Sequence, residues 1–208
     1  MKVIKLTMGA FETNCYIVGS SEGNAAVIDP ADSADVILET LARNKLNLKM
    51  ILLTHGHFDH IGACEELAVE TGAEVYVNEK DNQLLSDYDK NVGVLKMYVP
   101  QSHFKAAEAD KFVKEGDEIH LDEITFRVME TPGHTAGSVC YFTDGCLFSG
   151  DTLFRGSIGR SDNYSGDPVV QQKTLMRLCE IEGDYKLYAG HGDDSTLKYE
   201  QHYNPYLA

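Results

Sequence analysis

The sequence turns on one stretch, Thr54-His55-Gly56-His57-Phe58-Asp59-His60-Ile61-Gly62, which follows the apolar run Met50-Ile51-Leu52-Leu53 directly. Three imidazoles and a carboxylate fall within six residues there. Packing gives no reason to crowd titratable groups at the end of a buried strand. A metal ion does, because His and Asp are standard zinc ligands. Steps of two from His55 to His57 to Asp59 aim all three to one side of an extended segment. His60 breaks that alternation and requires a turn there, with a helix leading away. One segment rarely completes a coordination sphere, so other parts of the chain must supply further ligands.

Length and charge bound what such a chain can be. At 208 residues, it fits one domain over residues 1–208 with a sizeable core. A formal net charge of −15 argues against nucleic acid as a partner, since that affinity rests on phosphate neutralisation by Lys and Arg. A small anionic substrate at a metal site is still compatible, because the ions dominate the local field. No window is apolar for long enough to cross a membrane, and Met1 to Leu6 carry no apolar core of a secretory signal. The five cysteines, Cys15, Cys64, Cys140, Cys146 and Cys179, form no C-x-x-C pair. A hairpin at Asp144-Gly145 puts Cys140 and Cys146 on opposite faces of a sheet. Reduced thiols and a cytoplasmic location follow as expectations.

Element signals alternate. Cys15 to Val18, Ala25 to Ile28, Met50 to Leu53 and Glu74 to Val77 read as strands. Ala34, Ile37, Leu38, Leu41 and Ala42 follow helical spacing, with Asp32 or Ser33 as N-cap. Cys64, Leu67 and Ala68 share a helical stripe with His60, stopped at Gly72. Lys80 to Ser86 suit a helix. From Asp87 to Asp110 the pattern is unreadable: Val94, Leu95, Met97, Tyr98 and Phe104 suit either a substrate-side lid or apolar anchors of a loop, and the anchored loop is the favoured reading. Strands return at Phe112-Val113, Glu118 to Leu121, Ile124 to Met129, Val139 to Phe142 and Cys146 to Ser149. Asp167-Pro168 reads as N-cap and first turn of a helix, Tyr185 to Ala189 as a last strand, and Lys198 to His202 as a terminal helix. The sum is a layered α/β protein with two sheets.

The remaining ligand candidates each sit just after a strand, in a Gly-containing loop: His134 in Pro132-Gly133-His134-Thr135, Asp151 in Ser149-Gly150-Asp151-Thr152, and His191 in Gly190-His191-Gly192. With the opening stretch they make five histidines and two aspartates. One tetrahedral zinc cannot use seven ligands, but two adjacent ions can, with a carboxylate and a hydroxide as bridges. His103, His120 and His202 have no such setting and read as structural or surface residues.

T-H-x-H-x-D-H, P-G-H-T, S-G-D-T-L-F and G-H-G, in that order, resemble the metallo-β-lactamase superfamily from about Thr13 to the last residues. The resemblance implies a four-layer αββα sandwich with two divalent metal ions at the edge of its sheets. It implies that His55, His57 and His134 hold the first ion, that Asp59, His60 and His191 hold the second, and that Asp151 bridges. Asp29 matches the family's early aspartate, which supports the ligands from behind. Zinc is the expected metal, with iron and manganese also compatible. Asp151 to Arg160 is similar to the glyoxalase II branch, which hydrolyses S-2-hydroxyacylglutathione thioesters. That branch reads G-x-G-[KR] where this chain has Ser157-Ile158-Gly159-Arg160, so a serine replaces the first glycine. Arg160 stands where the family's basic residue contacts a glutathione carboxylate. Longer members continue into a helical domain that supplies much of the glutathione site, which leaves strict glutathione specificity open.

The expected activity is metal-dependent hydrolysis of a small-molecule thioester. A hydroxide bridging the two ions attacks the acyl carbon, since metal binding lowers the pKa of water to about 7. Asp59 both binds metal and orients that hydroxide, and the leaving thiol needs no separate general acid. The rival readings are a persulfide dioxygenase using a single iron at His55, His134 and Asp151, and a lactonase or β-lactamase-like hydrolase. A purely structural metal domain does not explain a bridging carboxylate between two ions.

Overall fold

Residues 1–207 are described by a computed structural model. Their strands form two six-stranded sheets. In the first, β1 (Lys2–Met8), β2 (Thr13–Gly19) and β3 (Asn24–Ile28) make an antiparallel meander. β4 (Asn47–Leu52), β5 (Glu74–Asn78) and β6 (Lys111–Val113) then continue the sheet in parallel from β3. In the second, β7 (Glu118–Leu121), β8 (Ile124–Glu130), β9 (Val139–Thr143) and β10 (Cys146–Gly150) are antiparallel neighbours. β11 (Lys186–Ala189) adds parallel to β10, and β12 (Ser195–Thr196) closes the edge. The helices are α1 (Ala34–Arg43), α2 (Phe58–Ile61), α3 (Cys64–Thr71), α4 (Tyr88–Val92), α5 (Pro168–Cys179) and α6 (Leu197–Tyr203).

Three apolar clusters define the layers. Ile37 and Leu41 of α1, with Cys64 and Leu67 of α3, pack on Ile17, Val27 and Ile51 of the first sheet. Between the sheets, Tyr16, Ile28 and Leu52 meet Phe126, Val139, Tyr141 and Phe148. Leu175 and Leu178 of α5 and Leu197 of α6 cover Cys140, Leu147 and Leu187 on the far side of the second sheet. Each of these side chains contributes about 1.5–3 kcal/mol by leaving water. Helix, sheet, sheet, helix is the expected αββα order. β2, β3 and the Met50 to Leu52 half of β4 are nearly all buried because both their faces are covered, which is why they read as largely continuous apolar runs; Asn47 and Lys49 at the start of β4 are exposed.

Several expectations shift. The chain turns before His60: His57 is still extended (φ −68°, ψ 148°), but α2 begins at Phe58 and carries Asp59 with His60. Asp59 therefore leaves the extended run, because the Phe58 N–H is capped by the Asn91 side chain at 2.7 Å. The stripe from His60 to Ala68 is two helices rather than one. At Gly62 a Cβ would collide with the Ala31 carbonyl, and the Ala63 N–H bonds the Pro30 carbonyl at 2.9 Å. Ser33 caps α1 by position only, in a left-handed conformation without a side-chain bond; Asp32 accepts the Ser33 N–H at 2.6 Å instead. Residues Glu79–Leu85 form a 3₁₀ rather than an α-helix. Of the residues expected to anchor the segment after α4, Phe104 does so, packing against the first-sheet cluster with its ring edge-on to Tyr88 at 5.7 Å, and Leu95 is half-buried, whereas Val94, Met97 and Tyr98 are exposed, Met97 by 81%. Its further anchors are Val92, Val99 and Ala107, with the Tyr88 hydroxyl donating to the Val99 carbonyl at 2.6 Å.

The hairpin at Asp144-Gly145 has Thr143 opposite Cys146, and both turn residues have positive φ (23° and 74°). Cys140 and Cys146 accordingly belong to clusters on opposite faces of the second sheet. Asp167 caps α5, its carboxylate accepting from the Val169 and Val170 N–H groups at 2.8 and 3.0 Å, which is worth about 1 kcal/mol. Among the described residues no helix is long and apolar enough to cross a membrane.

Candidate metal centre

Four strand ends and one short helix bring the candidate ligands to a common edge of the two sheets. His55 and His57 follow β4, Asp59 and His60 lie on α2, His134 follows β8, Asp151 follows β10 and His191 follows β11. The edges are stitched together by backbone and side chain: the Asn14 N–H donates to the Gly190 carbonyl at 2.7 Å, and the Tyr16 hydroxyl to the Ala189 carbonyl at 2.7 Å. Gly190 has no room for a side chain, since a Cβ would strike Asp151 Oδ1 and stand 2.8 Å from His60 Cε1. Gly150 combines a positive φ (48°) with a collision against Thr54.

All seven side chains converge, in two groups. His57 Nδ1 and His55 Nε2 lie 2.9 and 3.3 Å from His134 Nε2. Asp59 Oδ2 lies 3.3 Å from His191 Nε2 and 3.6 Å from His60 Nε2. Asp151 stands between the groups, with Oδ1 3.3 Å from His60 Nε2 and Oδ2 3.6 Å from His134 Nε2 and 3.5 Å from His191 Nε2. Ligand atoms around a tetrahedral zinc at bonds of 2.0–2.1 Å are about 3.3 Å apart, so most of these separations suit a shared cation. Within each group the candidate atoms lie within 4.8 Å of one another.

Protonation follows the same division. Burial holds His55 well below the usual imidazole range, with repulsion from His60 adding to it. Burial likewise takes His57 down to about 3. His60 is pulled the other way: Asp151, Asp59 and Asp29 outweigh its burial and hold it well above that range. Burial also opposes charge on His191, but Asp151 and Asp59 raise it to about 9. Asp59 reaches about 2 because the imidazoles, His60 foremost, overcome its burial. The carboxylates on this side call for positive charge at van der Waals range.

The outer ring nitrogens show how the ligands are aimed. His60 Nδ1 bonds Asp29 Oδ2 at 2.9 Å, His134 Nδ1 the Arg160 carbonyl at 2.6 Å, and His191 Nδ1 the Phe11 carbonyl at 3.1 Å. His55 Nδ1 lies 3.1 Å from Thr54 Oγ1. An acceptor at Nδ1 leaves Nε2 as the lone-pair nitrogen facing the cluster. His57 is reversed, with Nδ1 inward. Asp29 is fully engaged: it also accepts the Thr54 N–H at 2.8 Å and the Thr54 hydroxyl at 2.6 Å. Its oxygens are thus placed to support the candidate ligands from behind. His60 Nε2 and Asp151 Oδ1 are buried without a hydrogen-bond partner. Such orphaned atoms are costly unless something else satisfies them, and a divalent cation between a carboxylate and imidazoles does so. The residues fit the metal.

Arg160 is placed differently from the other candidates. Its guanidinium, 48% exposed, pairs with Asp162 at 2.6 and 2.9 Å, and only its carbonyl reaches the cluster. Ser157, in place of a glycine, does not have a positive φ, so the serine sits there without strain. Gly159 does need to be glycine, because a Cβ would collide with the Asp151 carbonyl. His103, His120 and His202 are exposed and outside the cluster.

Two supporting residues are not visible in the sequence. Asp81 is fully buried and accepts from the Gly56 N–H (3.0 Å), the Thr135 hydroxyl (2.7 Å) and the Gly137 N–H (2.8 Å), tying the His55–His57 loop to the His134 loop. Asn91 donates to the Gly56 and Leu84 carbonyls at 2.7 and 2.6 Å while capping α2. Apart from Leu84, seven residues before Asn91, their partners lie tens of residues away, and no local spacing marks them.

Comparison with known proteins agrees with this geometry. The family described as the Metallo-beta-lactamase superfamily matches residues 8–191. The chain belongs to that superfamily. A relative from Haemophilus influenzae, hydroxyacylglutathione hydrolase GloC, is 33% identical over all of this chain and 98% of its own length. The solved structure of BLEG-1 B3 metallo-beta-lactamase superposes with a TM-score of 0.91 at 31% identity, covering both chains fully. That of TTHA1623 in a di-iron-bound form gives a TM-score of 0.83 at 32% identity, covering 99% of this chain and all of the other. In this superfamily fold the His and Asp cluster implies binding of divalent metal.

Proposed function

We propose that the protein is a two-metal hydrolase of thioesters of the S-2-hydroxyacylglutathione type. The observation that carries the reading is Asp151, whose carboxylate stands between the two groups of candidate ligands: Oδ2 lies 3.6 Å from His134 Nε2 and 3.5 Å from His191 Nε2, and Oδ1 3.3 Å from His60 Nε2. A single-ion site would leave one of those groups without a purpose. In this reading His55, His57 and His134 would hold one ion and Asp59, His60 and His191 the other, with Asp151 within reach of both. Zinc is the first choice, with iron or manganese accommodated by the same donors; a structural neighbour described as di-iron-bound keeps iron in view.

When bound, two divalent ions supply Lewis acidity and bring the pKa of water down to about 7. The chain supplies the rest. Asp59 Oδ2 is fixed by the Thr13 hydroxyl, which donates to it at 3.0 Å, and orients the attacking water by accepting its hydrogen bond. The water oxygen bonds to the acyl carbon, the C–S bond breaks, and sulfur leaves with the electron pair; of the water's two protons, one ends on the departing thiolate and the other passes to solvent. The products are a carboxylate and a thiol whose intrinsic pKa is about 8.5, so a thiolate departs without a dedicated acid. The guanidinium of Arg160, at the His134 edge, is available to an anionic end of the substrate when it exchanges from Asp162.

The test is a thioester panel, S-lactoylglutathione included, run on protein of measured metal content beside oxygen uptake with glutathione persulfide. Thioester turnover by the two-metal form supports the reading. Oxygen uptake by a one-iron form without thioester turnover overturns it.

A further inference from the structure

A cavity of about 470 Å³ opens beside the metal centre, with Asp59 and Thr13 in its wall. One side is the β1–β2 turn at Phe11; the other is the 98–105 segment, through Tyr98 and Val99. Phe58 closes the inner end, its ring edge-on to Phe11 with centroids 5.0 Å apart. The volume lies within the roughly 300–1,000 Å³ that holds an organic ligand of moderate size. A lactoyl arm, with only a handful of heavy atoms, leaves most of it empty.

The character of the lining decides which part of a substrate enters. The wall holds two basic side chains, Lys105 and His103, both exposed, and Lys105 is shared with Glu66 at 3.4 Å. Asp32 adds negative charge, whereas Asp59 is engaged with metal in the proposed reading. A glutathione tail bearing two carboxylates finds no buried cation in this wall. An uncharged apolar group finds three aromatic rings and the buried Val99. We infer that this cavity receives the acyl arm, and that the preferred substrates are 2-hydroxyacyl thioesters with a bulky apolar, especially aryl, substituent. The inference rests on the thioesterase reading for its reaction but on the cavity alone for its selectivity. It also accounts for the exposure of Tyr98, since the segment that carries it forms the outer wall of the acyl site.

The experiment uses the metal-loaded protein and has two readouts. Glutathione thioesters of lactate and mandelate are compared by kcat/KM, and the free acids by calorimetric binding, which requires no turnover. Replacing methyl by phenyl adds on the order of 100 Å² of apolar surface, so a preference of roughly tenfold to a hundredfold for the mandelic compounds is expected in both. Phe11→Ala and Tyr98→Ala, singly and together, bring that ratio toward one; Tyr98 is largely exposed, so its variant keeps the fold. A ratio near one in the native protein, or one that neither variant moves, overturns the assignment. Selective mandelate binding without any thioester turnover would instead sink the thioesterase reading and leave the cavity assignment standing.

Discussion

Asp81→Asn isolates the support of the metal centre from the ligands themselves. Asp81 Oδ2 accepts from Gly56 and Thr135, and Oδ1 accepts from the Gly137 N–H. An amide that keeps its oxygen on the first pair turns its NH₂ toward the Gly137 N–H, so two donors face each other in a buried site. One charge-assisted bond is lost and one buried N–H is left unpaired, a cost of about 2–3 kcal/mol. For a chain of this size each kcal/mol lowers Tm by about 2–4 °C, so the metal-free variant melts about 4–12 °C below the native protein. Because Asp81 fixes both histidine loops, metal affinity falls as well, by about 10–100-fold. Scanning calorimetry reads the first effect and competition with a chromophoric chelator the second. Glu79→Gln, on the same turn but exposed, leaves both unchanged. Native-like melting and metal affinity in Asp81→Asn would show that the two loops are not held through this carboxylate.

Other consequences follow from the same geometry. Gly190→Ala places a methyl against Asp151 and His60, so elemental analysis should find it short of metal even if circular dichroism shows a folded chain; full occupancy refutes the packing argument. Cys15, Cys64 and Cys140 are fully buried, and burial pushes the Cys140 thiol up to about 12. At pH 8 these three should stay silent to a thiol reagent until denaturant is added, and rapid reaction of more than two of the five thiols contradicts that. In the metal-free protein His191 carries a proton up to about pH 9 and must lose it to bind metal. Affinity should therefore weaken as pH falls from about 9 toward about 6, with proton release on binding; an affinity flat across that range refutes the assignment of His191.

The sequence shows most of the candidate ligands and little of what holds them. His55, His57, His134, Asp151 and His191 are legible because packing alone does not place a titratable residue beside a glycine at the end of a buried strand. The position of Asp59 is harder to read: alternation keeps it on the extended run, whereas capping of Phe58 by Asn91 starts the helix two residues before the turn expected at His60. That cap joins residues 33 apart, beyond any local pattern. Asp81 is hidden for the same reason. β1 leaves no clear signal either, because its residues are mostly only half-buried at a sheet edge, with Lys5 reaching across to Asp194 at 3.0 Å. The 93–105 segment defies reading because most of its large apolar residues are not core. The ordinary rule that such residues are buried makes them anchors, but Val94, Met97 and Tyr98 are exposed.

The central claim is that two ions and a bridging Asp151 together hydrolyse a thioester. Its most direct test is a titration of metal-free protein with zinc, and separately with iron, following thioester hydrolysis at each addition. The account predicts that activity climbs until two equivalents are bound per chain, and that Asp59→Ala binds about one and stays nearly inactive. Full activity at one equivalent, or two bound equivalents with no thioester turned over, would contradict it.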